Sequence, residues 1–388
     1  MTKLQIDQLL IPLMDVYSDI ELDLIKNILE RIDNYTSVRG SLEWYVDKLA
    51  ELGALDKDNL KIIKSNKNKL KEVITELLNN TGRNVDNLEL FQEYYSKGLI
   101  EVNPLEIYNS SSINNLINNA IKDSENILDL INTKALEGAK ETYKEILNKA
   151  YIETASGIYT YDEAIRRALK DYEDKGIRTI HYESGRTLSI EAVVRRDVVT
   201  RMNKLVGDIE LQRAKELDTN LVYVDQHLGA RVRTEYMKHD YEAHAEWQGK
   251  VYMIDGSSNK YDNLYEKTGY GEMLGLKGIN CYHNMRPYFE WEKMPKRIDE
   301  VENAKAYEIL QQKRKFERTS RKIKREKQDA KFFNETDELK KINKKQKQFN
   351  KKYNDWLKEN NLTREYNREY VVSRWKSEKI RRYRWSME

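Results

Sequence analysis

The chain has 388 residues, 34% of them charged, a mean hydropathy of −0.84, four prolines and one cysteine. That length accommodates roughly two or three ordinary domains. No apolar run reaches the roughly 18 residues of a membrane span, and a single cysteine excludes an intrachain disulfide framework and fits a reducing compartment. The formal charge of +3 conceals an asymmetry: residues 296–388 hold 29 Lys and Arg against 16 Asp and Glu, a net +13, which leaves −10 for the first 295. A basic tail on an acidic body points to an anionic partner such as nucleic acid, unless the cations only solvate a helix face.

In chain order, the N-terminus (MTKLQIDQLLIPLMDVYSDIELD) places acidic residues directly after its apolar patch, which does not fit a cleavable signal, so a cytosolic setting is expected. Residues 1–150 read as a helical region. Ile25, Ile28, Leu29 and Ile32 form an i, i+3, i+4, i+7 stripe, as do Leu70, Val73, Ile74, Leu77 and Leu78. Gly40, Gly53, Gly82 and Gly98 are expected to punctuate it, Pro104 to open a longer helix, and NSSSINN to be a polar turn. At Thr160, TYDE predicts a capping box with Glu163, and Gly176 a left-handed stop. The alternation Ile177, Thr179, His181 around Ser184-Gly185 predicts a short hairpin. Ser189 then opens a helix to about Leu217, and NLVYV is a strand. This order argues for a small α+β module over residues 151–295.

Residues 296–388 contain no glycine and no proline, which predicts long basic helices. Ile309, Phe316 and Ile323 recur every seven residues, as do Ile342, Phe349 and Trp356. One apolar residue per heptad is too narrow for a coiled-coil seam, so this arm is expected to lie against the body, a second subunit or nucleic acid. FFNETDEL offers a cap at Asn334 or Thr336 and hence two helices. Asn360-Asn361 ends the second, and the Arg-rich residues beyond form a tail. The fold class expected is mostly α: a helical N-terminal region, a small central α+β module and long basic C-terminal helices.

The unusual chemistry sits between Tyr223 and Trp291, which hold four of the five histidines and the single cysteine. His227, His244, Cys281 and His283 are the residue types zinc prefers, and a structural ion would order a loop-rich stretch. Their separations match no common zinc framework, so the competing reading is histidines bonded to backbone and Cys281 as a small buried hydrophobe. A zinc hydrolase would need Glu246 as base, and Cys281 with a histidine would make a nucleophile pair. Glu290-x-Glu292 is similar to the paired glutamates of ADP-ribosyltransferases, but no matching Ser-Thr-Ser strand precedes it. TGYGEMLGLKG lacks the Lys-Ser/Thr of a P-loop. No reading supplies a full catalytic set, so no enzyme is expected. Nucleic-acid contacts fall on Lys313, Arg314, Lys315, Arg321, Lys322, Lys324, Arg325, Lys344, Lys345, Arg381 and Arg382. Trp356, Tyr366, Trp375 and Trp385 are the aromatics interleaved with them, for base stacking or for packing on protein.

HLGAR (His227, Gly229, Ala230, Arg231), HAEWQGKVY (His244, Trp247, Gln248, Gly249) and TGYGEMLGLKGINCYHNMRPYF together resemble the phage minor capsid protein 2 family, part of the wider Mu F-like head-morphogenesis group. The last stretch carries Thr268 to Gly271, Gly275, Leu276, Asn280, Cys281, His283, Pro287 and Tyr288. The resemblance extends upstream through YTYDEAIRRALKDYEDKGI and YESGRTLSIEAVVRR, and less closely to VYSDIELDLI and SLEWYVDKLAELG. About ten extra residues between Arg231 and His244 place His239 in an insertion, and Tyr282 stands where the family has arginine. The resemblance implies a structural minor capsid protein of a tailed phage, low in copy and held inside the virion head near the portal vertex. It would act in head assembly, DNA packaging or genome delivery. The partners implied are the portal protein, the major capsid protein and packaged double-stranded DNA, bound without sequence preference, with the host cytoplasm as the site of assembly. The rival expectation is an effector or metal-dependent enzyme delivered with the DNA.

Overall fold

The structure, a computed structural model, describes residues 6, 8–33, 40–83, 87–108, 110–161, 163–165, 167, 168, 177–181, 187–332, 335–369 and 371. Helices dominate, as composition and periodicity dictate. In order they are α1 (Ile11–Asp33), α2 (Leu42–Ala50), α3 (Leu52–Arg83), α4 (Leu88–Ser96), α5 (Pro104–Tyr108) and α6 (Ser111–Ala155). Strands β1 (Arg178–His181) and β2 (Thr187–Ser189) precede α7 (Ile190–Glu216) and β3 (Leu221–Val224). Then come α8 (His244–Trp247), β4 (Val251–Met253), α9 (Leu264–Thr268), β5 (Met285–Pro287), α10 (Glu300–Phe332) and α11 (Thr336–Glu359). No described helix is long and apolar enough to cross a membrane.

The chain divides into two compact units, each assembled from three separated stretches. One comprises Met1–Leu10, Glu72–Ile127 and Arg195–Lys313; the other Ile11–Lys71, Leu128–Val194 and Arg314–Glu388.

In the second unit, α1 buries Ile25, Ile28, Leu29 and Ile32, the stripe read from the sequence. Buried polar groups there are tied by long-range bonds: Tyr17 Oη donates to Asn132 Oδ1 (3.2 Å) and Tyr143 Oη to the Lys48 carbonyl (2.9 Å). Lys48, 2% exposed, is neutralised by Glu51 at 2.8 Å. The Thr160 capping box forms as expected, Glu163 N donating to Thr160 Oγ1 (3.3 Å) and Thr160 N to Glu163 Oε2 (3.1 Å). β1 pairs antiparallel with β2, the hairpin expected. Its Ser184-Gly185 turn and Gly176 lie outside the described residues.

Gly53 and Gly82 lie at the two ends of α3, where punctuation was expected. Two local expectations are corrected. Pro104 opens only the five-residue α5, and the longer helix starts at Ser111. NSSSINN is no turn: Ser110 Oγ accepts the Ile113 amide (3.2 Å), so the stretch caps α6.

The C-terminal arm finds its partner in itself. Phe316 stacks on Tyr353 (4.8 Å between ring centres) and packs on Trp356 (5.1 Å), while Ile323 and Ala330 cluster with Ile342. Lys327 reaches Gln346, and Lys345 reaches Glu326. Partner numbers fall on one helix as they rise on the other, so α10 and α11 form an antiparallel hairpin. Each narrow stripe supplies the apolar surface the other lacks. Tyr353 and Leu357, outside the heptad count, widen the seam. Asn334 lies outside the described residues, and Thr336 is the first helical residue of α11 rather than its cap, which is Glu335. α11 ends as expected at Asn360-Asn361. Asn361 takes a left-handed φ of 52°, and the Leu362 and Asn361 amides return to the carbonyls of Leu357 (2.9 Å) and Lys358 (3.2 Å).

In the first unit the sheet order is β4-β3-β5, all antiparallel. Alternation along β3 sends Val222 and Val224 into a cluster with Trp247, Tyr252, Leu264, Leu276, Cys281 and Met285. Leu221 and Tyr223 face Val251 and Tyr288 on the other side, so both faces are covered. The 72–127 stretch packs on this module: Tyr94 Oη donates to Glu292 (3.1 Å), its ring lies edge-on to Trp291, and Arg213 stacks over Tyr108.

Candidate functional site

The sheet gathers the histidine–cysteine residues. His227 follows the end of β3, Cys281 and His283 lead into β5, and the two segments are stitched by the Asp225 amide to the Asn284 carbonyl (2.9 Å) and the Asn284 amide to Asp225 Oδ1 (2.8 Å). His244 is the first residue of α8, a turn fixed by its Gln248 amide-to-His244 carbonyl bond (3.1 Å). His244, Cys281 and His283 are buried, and one ligating atom from each lies within 4.8 Å of the others. His227 is not in that triplet, but its ring stacks on His283 with centres 4.3 Å apart. Of the four residues picked from the sequence, three therefore converge and the fourth flanks them.

The hydrogen bonds fix the tautomers. His244 Nε2 meets the Leu274 carbonyl (2.9 Å), which can only accept, so Nε2 carries the proton and Nδ1 the lone pair. Gln248 Oε1 accepts the His227 backbone amide (3.0 Å) and also faces His283 Nε2 (3.0 Å), which forces the same tautomer on His283. His283 Nδ1 then faces Cys281 Sγ at 3.7 Å. His227 Nδ1 donates to the Leu228 carbonyl (3.1 Å), so its Nε2 is a buried lone pair, and it has no hydrogen-bond partner. Burial, with Arg231 nearby, pushes His244 down to about 3; burial and the flanking His227 and His244 hold His283 well below its usual range. Both rings are neutral at physiological pH. Burial pushes the Cys281 thiol up, opposed by the charge of Lys277.

The glycine-rich loop explains itself by packing. Residues 268–281 bond to one another through Leu276 N to Thr268 O (2.9 Å) and Ile279 N to Met273 O (2.7 Å). A Cβ on Gly275 would lie 2.1 Å from the Gly269 carbonyl oxygen, and one on Gly278 2.3 Å from that of Glu272. The backbone folds on itself too closely for any side chain, and this coil presents the Leu274 carbonyl to His244. Arg231 holds the same coil, donating to the carbonyls of Leu274 (3.1 Å) and Ile279 (3.1 Å). Arg231, Gln248 and the buried Lys277 were not assigned site roles from the sequence. Their signal was proximity to the histidines in GAR, EWQG and LKG, but their contacts are long-range.

The catalytic nominees are engaged elsewhere. Glu246 is half-exposed and held by Arg233 through two bonds (2.6 and 2.9 Å), which keep its carboxyl below the usual range against a smaller opposing effect of burial. Glu292 is bound to Arg286 and the Phe289 amide, whereas Glu290 lies on the surface against Lys260, so the two glutamates do not act as a pair. His239 is exposed and stacks on Tyr241.

The basic candidates divide. Lys315, Lys322 and Lys344 are exposed, and Arg314 and Arg325 are half-buried. Lys313 is 5% exposed. Arg321 donates to the Arg368 carbonyl, Lys324 to the Glu369 carbonyl (2.7 Å) and Lys345 to Glu326 (2.7 Å). Arg381 and Arg382, like Trp375 and Trp385, lie outside the described residues; Tyr366 is exposed, and Trp356 packs in the hairpin seam.

Comparison with known proteins adds the following. A family model described as phage minor capsid protein 2 matches residues 1–358. A structural protein of Lactococcus phage LL-H is 27% identical over 361 residues, covering 90% of this chain and 94% of that protein. A structural protein of Lactococcus phage mv4 is 35% identical over 117 residues, 29% of this chain and 94% of its own length. No solved structure matches.

Proposed function

Because the chain belongs to the phage minor capsid protein 2 family, we propose that it is a structural, non-enzymatic component of a tailed-phage virion. It is low in copy, sits inside the head near the portal vertex, and serves head assembly, DNA packaging or genome delivery. The observation that carries this reading is the family match over residues 1–358, joined by the phage structural protein aligned over 90% of the chain. The site geometry supports it over a delivered effector: Glu246 and Glu292 are each held by an arginine, and Cys281 and the His283 ring beside it are both buried.

The partners follow from charge. The α10–α11 hairpin presents Lys315, Lys322 and Lys344 outward, suited to phosphates through counterion release and without sequence preference. The acidic first 295 residues suit a basic face of portal or major capsid protein. Quantitative mass spectrometry of purified virions tests the assignment. The expected result is a copy number far below that of the major capsid protein, with cross-links to the portal. Absence of the chain from virions would overturn it and bring the effector reading forward.

A further inference from the structure

We propose that His244, Cys281 and His283 bind a zinc-class divalent ion through His244 Nδ1, Cys281 Sγ and His283 Nδ1, and that His227 Nε2 supplies the fourth ligand. The argument rests on lone pairs. Backbone and Gln248 acceptors consume the Nε2 protons of His244 and His283, which leaves both Nδ1 atoms as lone-pair acceptors, that of His283 facing the Cys281 sulfur. His227 Nε2 is a third buried acceptor, and no donor reaches it. The Cys281 thiol reaches one of these acceptors, His283 Nδ1, and a buried acceptor left without a donor is destabilising. A cation satisfies all of them at once.

The distances agree. Zinc–sulfur and zinc–nitrogen bonds of about 2.3 and 2.05 Å at a tetrahedral angle separate S from N by about 3.6 Å. Cys281 Sγ and His283 Nδ1 stand 3.7 Å apart, and the triplet lies within 4.8 Å. The carbonyl and amide acceptors behind each imidazole are the outer-shell partners that orient metal-bound histidines. The Trp247 ring, tilted against His283 with its centre 4.7 Å from that of the imidazole, shields one side. The ion would tie α8 to the segment leading into β5 in a module whose sheet strands are only three or four residues long. It is a structural ion, and the reading does not depend on what the protein does in the virion.

The test uses the purified full chain, stripped with a chelator and titrated with zinc against a chromophoric competitor, then with cobalt. About one equivalent bound, with a thiolate-to-cobalt charge-transfer band, is expected. Cys281→Ser should lose the band, His283→Gln should weaken zinc binding by at least tenfold, and His239→Gln should change neither. A folded wild-type chain that takes up well under one equivalent would overturn the proposal without recourse to any variant. Undiminished affinity in His227→Gln would overturn the fourth-ligand assignment.

Discussion

Glu369 offers the sharpest test of how the hairpin is closed. Its side chain is fully buried, and Arg364 clamps it through two bonds, Nε to Oε1 at 2.7 Å and Nη2 to Oε2 at 2.6 Å. Ser320 Oγ, on α10, donates to the same carboxylate, and Lys324 lies 3.9 Å from it. Glu369→Ala therefore removes the anion and leaves a guanidinium that is only 11% exposed. Breaking a buried pair on one side costs about 3–5 kcal/mol. Arg364 keeps bonds to Asn350 (3.0 Å) and Asn354 (3.1 Å), which places the expected loss at the lower end, about 3 kcal/mol. That is roughly a hundredfold or more in the opening equilibrium. Glu369→Gln preserves shape and an acceptor and should cost about 1–2 kcal/mol. Burial alone would raise this carboxyl, but the Arg364 and Ser320 bonds and the Arg364 and Lys324 charges outweigh it and hold the group below its usual range. The sign follows: the contribution is fully present above the unfolded value of about 4.3 and is lost as pH falls through the lower folded value. The gap between wild type and Glu369→Gln should then narrow at acid pH. Hydrogen exchange of the full chain, read on peptides from α10 and α11, measures the opening. Protection in Glu369→Ala within about threefold of wild type would refute the reasoning, because it would mean that water already solvates the pair.

Two further predictions concern the sheet-bearing unit. Gly275→Ala, whose Cβ meets the Gly269 carbonyl oxygen at 2.1 Å, should destabilise by about 1–3 kcal/mol or more, while Gly53→Ala, with nothing within 4 Å, should be neutral or slightly stabilising. Equal melting temperatures for the two would contradict the close-packed coil. Glu210, buried beside Arg213 at 3.0 Å with Oε2 unpartnered, is pushed up to about 7 by burial, which outweighs the arginine. A raised carboxyl contributes stability below its unfolded value that is lost as pH rises towards 7; denaturation from pH 4.5 to 7.5 should show this slope, and Glu210→Gln should flatten it.

Much of the helical architecture was legible because its causes are local. The stripes of α1 and α3, the Thr160–Glu163 box and the Asn360-Asn361 stop each involve residues within a turn or two. Gly53 and Gly82 mark the two ends of α3, as expected, whereas Ser110 makes a cap of what composition alone suggests is a turn. The narrow heptad stripe was correctly seen as insufficient alone. That its complement was the other half of the same arm depended on α10 and α11 lying antiparallel, which no spacing specifies.

The sequence by itself determined that the chain is mostly helical, that its chemistry is concentrated between Tyr223 and Trp291, and that His227, His244, Cys281 and His283 are candidate ligands there. Only the tertiary structure decided that His244 meets Cys281 across 37 residues, that Gln248 and the Leu274 carbonyl fix the imidazole tautomers, and that Glu246 and Glu292 are held by arginines. The physical reason is one of range. Helix hydrogen bonds and caps close over three to five residues, so residue type and spacing suffice to announce them. A polar cluster exists only where strand pairing and close backbone packing deliver distant segments to one point, and that delivery depends on the whole core.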